Sequence, residues 1–172
     1  MNESLSMISI IMAGGLGKRM SPTKAKVLHE VDGKPMLYHV IQNAHTVGCE
    51  KILVVVGKYK SEIIASMGKL FSPDILKKIV YITQTEAMLD GVVCSLGTGD
   101  AIRTCLSHFT SLKCISKTKV LILSGDVPFI DIGELTAFSK LENAVSSPIS
   151  TKGTSPDKIN TFVLLIHFNE VK

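Results

Sequence analysis

Short runs of aliphatic residues are the feature that most limits how this chain can fold. Residues 7–12 read MISIIM, residues 52–56 read ILVVV and residues 120–123 read VLIL. Such short, almost uninterrupted apolar runs are typical of parallel strands that are covered on both faces. They are too short for a membrane span, which needs about 20 apolar residues. The runs therefore predict a buried, mostly parallel sheet.

Segments with helical periodicity lie between these runs. Pro35 opens a stretch whose apolar residues share one helical face, and Gly48 follows its end, which is the usual punctuation of a helix. Further predicted elements are helices over 61–70, 98–109 and 131–141, the last two with Thr98 and Asp131 as caps, and strands over 79–83 and 162–168. Alternating strands and helices predict an α/β fold, with three layers (α/β/α) around a mostly parallel, Rossmann-like sheet.

Composition excludes several classes of function. Nineteen Lys and Arg against 15 Asp and Glu give a net charge of +4, and the basic residues are spread along the chain. With no Trp and 5% aromatic residues, the chain lacks the stacking surface of a typical nucleic-acid-binding protein. The four cysteines form no Cys-x-x-Cys pair and are expected to be free thiols in a reduced compartment. We expect a cytoplasmic protein that binds a small anionic ligand, and neither nucleic acid nor a membrane.

A glycine-rich loop follows the first aliphatic run. It reads Ala13-Gly14-Gly15-Leu16-Gly17-Lys18-Arg19. Glycines let the backbone approach a phosphate closely, and their N–H groups can point inward together. Arg19, and Lys26 a few residues later, add two positive charges. The loop therefore predicts a phosphate site.

Two familiar phosphate loops do not fit this sequence. A dinucleotide-binding loop would need glycine where Met20 stands, and an acidic residue after the second strand, where Gly57 stands. A Walker A loop would need glycine at Met12 and Ser or Thr at Arg19. A dinucleotide-binding oxidoreductase is therefore only a remote alternative.

Three more features are candidates for chemistry, and the first of them, in the loop 124–128, is predicted to lie on the same sheet edge as the loop 13–26. Asp126, after the run at 120–123, is a typical single carboxylate ligand for Mg²⁺, which takes its other ligands from phosphate and water. Gln84 follows the strand at 79–83 and carries an amide that could face a nucleobase. Gly97 and Thr98 begin a predicted helix, whose free N–H groups favour an anion or a base carbonyl.

The motifs along the chain occur in an order that is known from one protein family. The motifs are Gly14-Gly15-x-Gly17-x-Arg19-Met20, Lys26-Val27-Leu28-His29-Glu30, Gly33-Lys34-Pro35-Met36-Leu37, Gln84-x-Glu86, Leu96-Gly97-Thr98-Gly99 and Gly125-Asp126-Val127-Pro128. Together they closely resemble the uridylyltransferase domain of the N-acetylglucosamine-1-phosphate uridylyltransferases, in the nucleotide-diphospho-sugar pyrophosphorylase superfamily. The resemblance covers about residues 7–140. It implies the nucleotide-diphospho-sugar transferase type of sheet.

The resemblance also implies a reaction and a role for each matching residue. UTP and N-acetylglucosamine 1-phosphate would give UDP-N-acetylglucosamine and pyrophosphate, with Mg²⁺ as cofactor. The implied nucleotide-binding residues are Ala13, Gly14, Gly15 and Gly17 at the phosphates and Gln84, Gly97 and Thr98 at the uracil. Arg19 and Lys26 would be the catalytic cations, and Asp126 would hold Mg²⁺.

The sequence departs from the family pattern in the first loop, at Met12, Gly14 and Lys18, and in three further places. Asp100 stands where the family usually has His, and residues 87–95 replace a single family residue. The family's later sugar-binding residues and second metal ligand have no counterpart in residues 143–172. Two alternatives therefore stay open: a nucleotidyltransferase for another nucleoside triphosphate or sugar phosphate, and a truncated nucleotide-binding remnant without catalysis.

The apolar pattern weakens after Asn143. Residues 1–142 are predicted to form the nucleotidyltransferase domain, and residues 143–172 a shortened C-terminal tail with one last strand. If that strand, at 162–168, found no partner, its open edge would allow copies of the chain to associate.

Overall fold

The structure, a computed structural model, describes residues 5–15, 24–89, 92–95, 97–112, 118–141, 145–150 and 160–167. Its strands are β1 (Met7–Met12), β2 (Glu30–Val31), β3 (Lys34–Pro35), β4 (Lys51–Val56), β5 (Ile79–Thr83), β6 (Glu86–Leu89), β7 (Val92–Ser95), β8 (Lys119–Ser124), β9 (Val145–Ser150) and β10 (Asn160–His167). Its α-helices are α1 (Met36–Thr46), α2 (Lys60–Leu70), α3 (Pro73–Leu76), α4 (Gly97–Ser111) and α5 (Ile132–Ser139). A short 3₁₀ helix spans Lys26–Leu28.

Six strands form the central sheet, in the order β5-β4-β1-β8-β10-β9. The first four are parallel to one another, whereas β10 runs antiparallel to both of its neighbours. In the register of the sheet, Ile10 of β1 lies between Leu53 of β4 and Ile122 of β8. The predicted α/β fold with a mostly parallel sheet is confirmed.

Both faces of the sheet are buried. Along β1, Met7 and Ile11 pack on one face, and Ile8 and Ile10 pack on the other. A strand in this position needs apolar side chains at successive positions rather than at alternate ones, which explains the aliphatic runs; in β1 the run is interrupted only by the buried Ser9.

Helices cover the two faces unequally. One face packs against α1, α2 and α5 through side chains that include Leu37, Ile63 and Leu135. The other packs against α4 through Cys105 and Phe109, which are 0% and 1% exposed. The molecule therefore has the three predicted layers. Among the described residues, no helix combines the length and the apolar character that a membrane crossing requires.

The last predicted strand is present as β10, but it is not at an edge. It pairs with β8 on one side and with β9 on the other, so the condition on which we based self-association is not met by this strand. The outer strand on this side is β9. It contains Pro148, whose backbone nitrogen carries no hydrogen to donate to another strand. Association of copies through this part of the chain stays a prediction.

Two small hairpins were not expected from the sequence. The strands β2 and β3 pair around Asp32 and Gly33, which both have positive φ angles of 52° and 70°. The strands β6 and β7, within the segment that departs from the family pattern, form an antiparallel pair in which Met88 lies opposite Val93. This second hairpin connects the sheet at β5 to the start of α4.

Candidate functional site

The carboxyl ends of the parallel strands bring those predicted site residues that the structure describes, among them Gly14, Gln84 and Asp126, to one edge of the sheet. Backbone hydrogen bonds continue past the strand ends and fix the first residue of each loop. Ala13 N donates to Val55 O at 2.8 Å, and Gln84 N donates to Val56 O at 2.8 Å. On the other side of β1, Gly125 N donates to Met12 O at 3.0 Å. The loops that carry the candidate residues therefore start from a rigid frame.

The glycines at this edge meet different surroundings. A Cβ on Gly125 would lie 2.9 Å from the carbonyl oxygen of Met12, which is closer than real Cβ atoms come. A Cβ on Gly14 would lie 3.3 Å from Oε1 of Gln84, whereas one on Gly15 would meet none of the described residues within 4 Å. Gly125 is therefore required by packing, and no described residue packs against the position of a Gly15 side chain.

Lys26 and Asp126 meet at the centre of this edge. Lys26 Nζ lies 2.5 Å from Asp126 Oδ2, and the two side chains are 41% and 28% exposed. The 3₁₀ helix that starts at Lys26 is anchored by the buried Val27 and Leu28. Asp126 follows β8 directly. The structure thus joins two residues that the sequence assigned to one site.

Ser124 completes the surroundings of the Asp126 carboxylate. Its Oγ donates to Asp126 Oδ1 at 2.5 Å. Burial acts to raise the pKa of the Asp126 carboxyl, but the hydrogen bonds from Lys26 and Ser124 outweigh it and hold that pKa below its usual range. Ser124 was not among the site residues predicted from the sequence. The available signal was its position, two residues before the carboxylate, where a hydroxyl can reach the side chain.

The donor set at Asp126 fits Mg²⁺ of the kind that is bound mainly through phosphate and water. Within the described ranges, no group of three or more His, Cys, Asp or Glu side chains could hold a metal ion. One carboxylate is nevertheless a sufficient protein contribution when a nucleotide supplies the other ligands. Lys26 Nζ now contacts Oδ2 of this carboxylate, so Lys26 and a bound cation would compete for the same negative charge.

The side chain of Gln84 points into the interior of the protein. The residue is 6% exposed, and its Nε2 donates to Gly97 O at 3.1 Å and to Asp100 Oδ2 at 3.0 Å. The sequence suggested that this amide could face a nucleobase; in the structure both of its N–H groups are used at the start of α4. The same carboxylate of Asp100 accepts from Arg103 Nη2 at 2.7 Å. The network of Gln84, Asp100 and Arg103 was not foreseen.

Gly97 and Thr98 lie where α4 meets this edge, and both are exposed. Gly97 has a φ of +87°, which suits a residue without a side chain. The helix already begins at Gly97, so Thr98 lies in its first turn and not at the cap that we predicted. Gly17 and Arg19 lie outside the described residues, and their roles stay predictions.

Comparison with a family model gives a match over most of the chain. Residues 9–147 match the model of the MobA-like NTP transferase domain. That range contains all the candidate site residues named from the sequence.

Curated relatives are similar over the same part of the chain. The bifunctional protein GlmU of Sorangium cellulosum is 33% identical over 145 residues, which is 84% of this chain and 28% of that protein. The "Probable UDP-N-acetylglucosamine pyrophosphorylase" of Acanthamoeba polyphaga mimivirus is 35% identical over 129 residues, 75% of this chain and 45% of that protein. The chain thus spans less than half the length of these relatives.

Solved structures share the fold at lower sequence identity. A Bacillus anthracis protein assigned as a glucose-1-phosphate thymidylyltransferase and solved with sucrose superposes with a TM-score of 0.65 at 19% identity, covering 94% of this chain and 71% of that one. HddC from Yersinia pseudotuberculosis, complexed with GMP-PN, gives a TM-score of 0.59 at 19% identity, over 92% and 76% of the two chains. These neighbours confirm the fold class.

Proposed function

This chain belongs to the MobA-like NTP transferase domain family, and from that premise we propose that it is a sugar-1-phosphate nucleotidyltransferase that joins UTP to N-acetylglucosamine 1-phosphate. The products are UDP-N-acetylglucosamine and pyrophosphate. The choice of this pair of substrates is supported by the mimivirus relative, whose name states that product, and by the similarity to the bacterial GlmU proteins. The observation that carries the proposal is the ion pair of Lys26 and Asp126 beside the glycine-rich loop.

In the proposed reaction, an oxygen of the sugar phosphate forms a bond to the α-phosphorus of UTP, and the bond to the β-phosphate breaks. The second pKa of a phosphate monoester is about 6, so this oxygen is already an anion at neutral pH. No general base is therefore required. The barrier comes from bringing two anions together, and the protein lowers it by alignment and by neutralising charge.

Lys26 is the cation of this site that the structure describes. In the proposed bound state it exchanges the carboxylate of Asp126 for phosphate oxygens, and Asp126 becomes free to hold Mg²⁺. That ion, when bound, supplies positive charge to the reacting phosphate and to the leaving pyrophosphate. Arg19 contributes the second protein cation, and the N–H groups of Gly14 and Gly15 approach the triphosphate.

Release of pyrophosphate tests the proposal directly. The chain is incubated with Mg²⁺, UTP and N-acetylglucosamine 1-phosphate, and pyrophosphate and the nucleotide sugar are measured. We expect both products in equal amounts. Turnover only with another nucleotide or sugar phosphate would correct the substrates. Binding of nucleotide without any turnover would replace the proposal by the alternative of a non-catalytic nucleotide-binding protein.

Replacing Lys26 by an uncharged residue tests its role. We expect Lys26→Met to lower turnover by about a hundredfold, as for other fixed groups that stabilise developing charge. Lys77→Met is the matched control, because the Nζ of Lys77 pairs with the exposed Asp74, at 3.5 Å, away from this edge. Full turnover in Lys26→Met would remove Lys26 from the mechanism.

Arg19→Ala is the corresponding test of the second cation. We expect this variant to lose turnover while its urea midpoint changes little, because a cation that acts on substrate phosphate adds nothing to the folded protein alone. Activity equal to that of the unmodified chain would refute the role of Arg19.

A further inference from the structure

The amide of Gln84 is held in one orientation by its neighbours on α4. Its Nε2 contacts two groups, the carbonyl oxygen of Gly97 at 3.1 Å and Oδ2 of Asp100 at 3.0 Å. A carbonyl and a carboxylate can only accept hydrogen bonds, and an amide nitrogen can only donate them. Rotating the amide by 180° would place its oxygen against two oxygens. The contacts therefore determine which end of the amide faces α4.

The opposite end of the amide faces the glycine-rich loop. A Cβ built on Gly14 would lie 3.3 Å from Oε1 of Gln84, so this oxygen is the part of the side chain next to that loop. In the observed orientation both N–H groups are used within the protein. The group that Gln84 presents toward Gly14 is a hydrogen-bond acceptor.

Asp100 is itself fixed in place. Its side chain is 11% exposed, and its Oδ1 accepts from Arg103 Nη2 at 2.7 Å. The hydrogen bonds from Gln84 and Arg103 hold the pKa of Asp100 below its usual range, so at neutral pH the residue is a carboxylate and cannot donate. In the sequence, the β6–β7 hairpin lies between Gln84 and Asp100. Their contact therefore connects the segment before the hairpin to the helix that follows it.

We propose that Asp100 is a positioning residue that sets base selectivity, by holding the Gln84 amide with Oε1 toward the nucleotide. This inference rests on the proposed function, and on the base-reading role that the family resemblance implies for Gln84. An acceptor at this position favours a pyrimidine that carries a hydrogen on ring nitrogen N3, as uracil does. It disfavours cytosine, whose N3 is an acceptor, because two acceptors cannot pair.

Replacement of Asp100 by asparagine removes the constraint while keeping the shape of the side chain. The carboxamide introduced at position 100 could accept from Gln84 Nε2 or donate to Gln84 Oε1. The flipped orientation of Gln84 would then meet one opposing oxygen, the carbonyl of Gly97, instead of two. It would be populated more often than in the unmodified chain, and the pocket could then offer a donor to cytosine N3. Asp100→Asn should therefore reduce the preference for UTP over CTP without removing nucleotide binding.

Equilibrium binding of three nucleotides measures this effect without depending on turnover. UTP, CTP and N3-methyl-UTP are titrated into the full chain and into Asp100→Asn by calorimetry. The unmodified chain should prefer UTP over both other nucleotides. In Asp100→Asn the ratio of UTP to CTP affinity should fall about tenfold, which corresponds to one net hydrogen bond. Asp74→Asn removes one exposed carboxylate elsewhere and should leave the ratio unchanged.

Three results would overturn the inference: equal affinity of the unmodified chain for UTP and CTP, undiminished affinity for N3-methyl-UTP, or an unchanged ratio in Asp100→Asn. The comparison with N3-methyl-UTP uses the unmodified chain, so it holds even if the variant does not fold. Failure of the proposed reaction is recognised separately, as absence of pyrophosphate release while the preference for UTP persists.

Discussion

Two glycines lie at the sheet edge that carries the candidate site, and they have different structural roles. Gly125 lies against the carbonyl oxygen of Met12, where no side chain fits, whereas a Cβ on Gly15 would meet none of the described residues. The first glycine serves the packing of β8 against β1. The second has no packing role that the structure reveals, which is consistent with a loop that leaves room for phosphate.

Alanine at these two positions should therefore give opposite results. We expect Gly125→Ala to destabilise the protein by about 1–3 kcal/mol, because Met12 must move to relieve the overlap. Gly15→Ala should leave stability nearly unchanged but weaken UTP binding. Urea unfolding and nucleotide titration measure the two effects. A Gly125→Ala variant as stable as the unmodified chain would show that the contact with Met12 relaxes at no cost.

The residues of the candidate site could be predicted from the sequence more completely than the contacts between their side chains. It assigned Lys26 and Asp126 to one edge because both follow predicted parallel strands, and the structure brings them into contact. It did not foresee that Gln84 would be buried and bonded to Asp100. Side-chain partners of this kind depend on how α4 packs against the sheet, which local sequence does not determine.

At the scale of secondary structure, continuous aliphatic runs were the most informative signal. The runs in β1, β4 and β8 predicted the strands because burial on both faces demands apolar residues throughout. The hairpin β6–β7 was missed, although Asp90-Gly91 between apolar residues is a recognised turn signal. The strand β9 was missed because its residues Val145–Ser150 include three serines and a proline and carry little hydrophobic pattern.

Helix α5 provides a test at this scale. Asp131 was predicted as its cap, and Oδ1 of Asp131 accepts from Gly133 N at 2.8 Å and from Glu134 N at 3.0 Å. We expect Asp131→Ala to lower the free energy of unfolding by about 1 kcal/mol. Ser72→Ala is the control, because Ser72 precedes α3 without a side-chain capping bond. Equal effects of the two substitutions would contradict the capping role.

At the scale of the whole molecule, the carboxylate of Glu50 connects the segment before β4 to the segment before β1. Oε1 of Glu50, which precedes β4, accepts from Ser6 N at 2.6 Å and from Ser6 Oγ at 2.7 Å, just before β1. Burial acts to raise the pKa of Glu50, but the bonds from Ser6 prevail and hold it below its usual range. The folded state therefore favours the ionised form more than the unfolded state does.

The sign of this shift predicts a pH dependence. The stabilisation by Glu50 is present above its unfolded pKa of about 4.3 and is lost as the pH falls through its lower folded value. Glu50→Gln should therefore lower the urea midpoint at about pH 7, and its difference from the unmodified chain should shrink near about pH 3. Glu62→Gln, on the exposed side of α2, is the control. A difference that does not change with pH would contradict this account.

Lys26 and Asp126 are separated by 100 positions in the chain, and this distance has a consequence during protein synthesis. At a translation rate of about 5–20 residues per second, the lysine leaves the ribosome roughly 5–20 s before its acidic partner. In that interval the nascent chain carries the cation without the carboxylate that balances it. If the proposed nucleotide needs both residues, it can be captured only after β8 has inserted beside β1, and its capture would then report that the central strands have assembled.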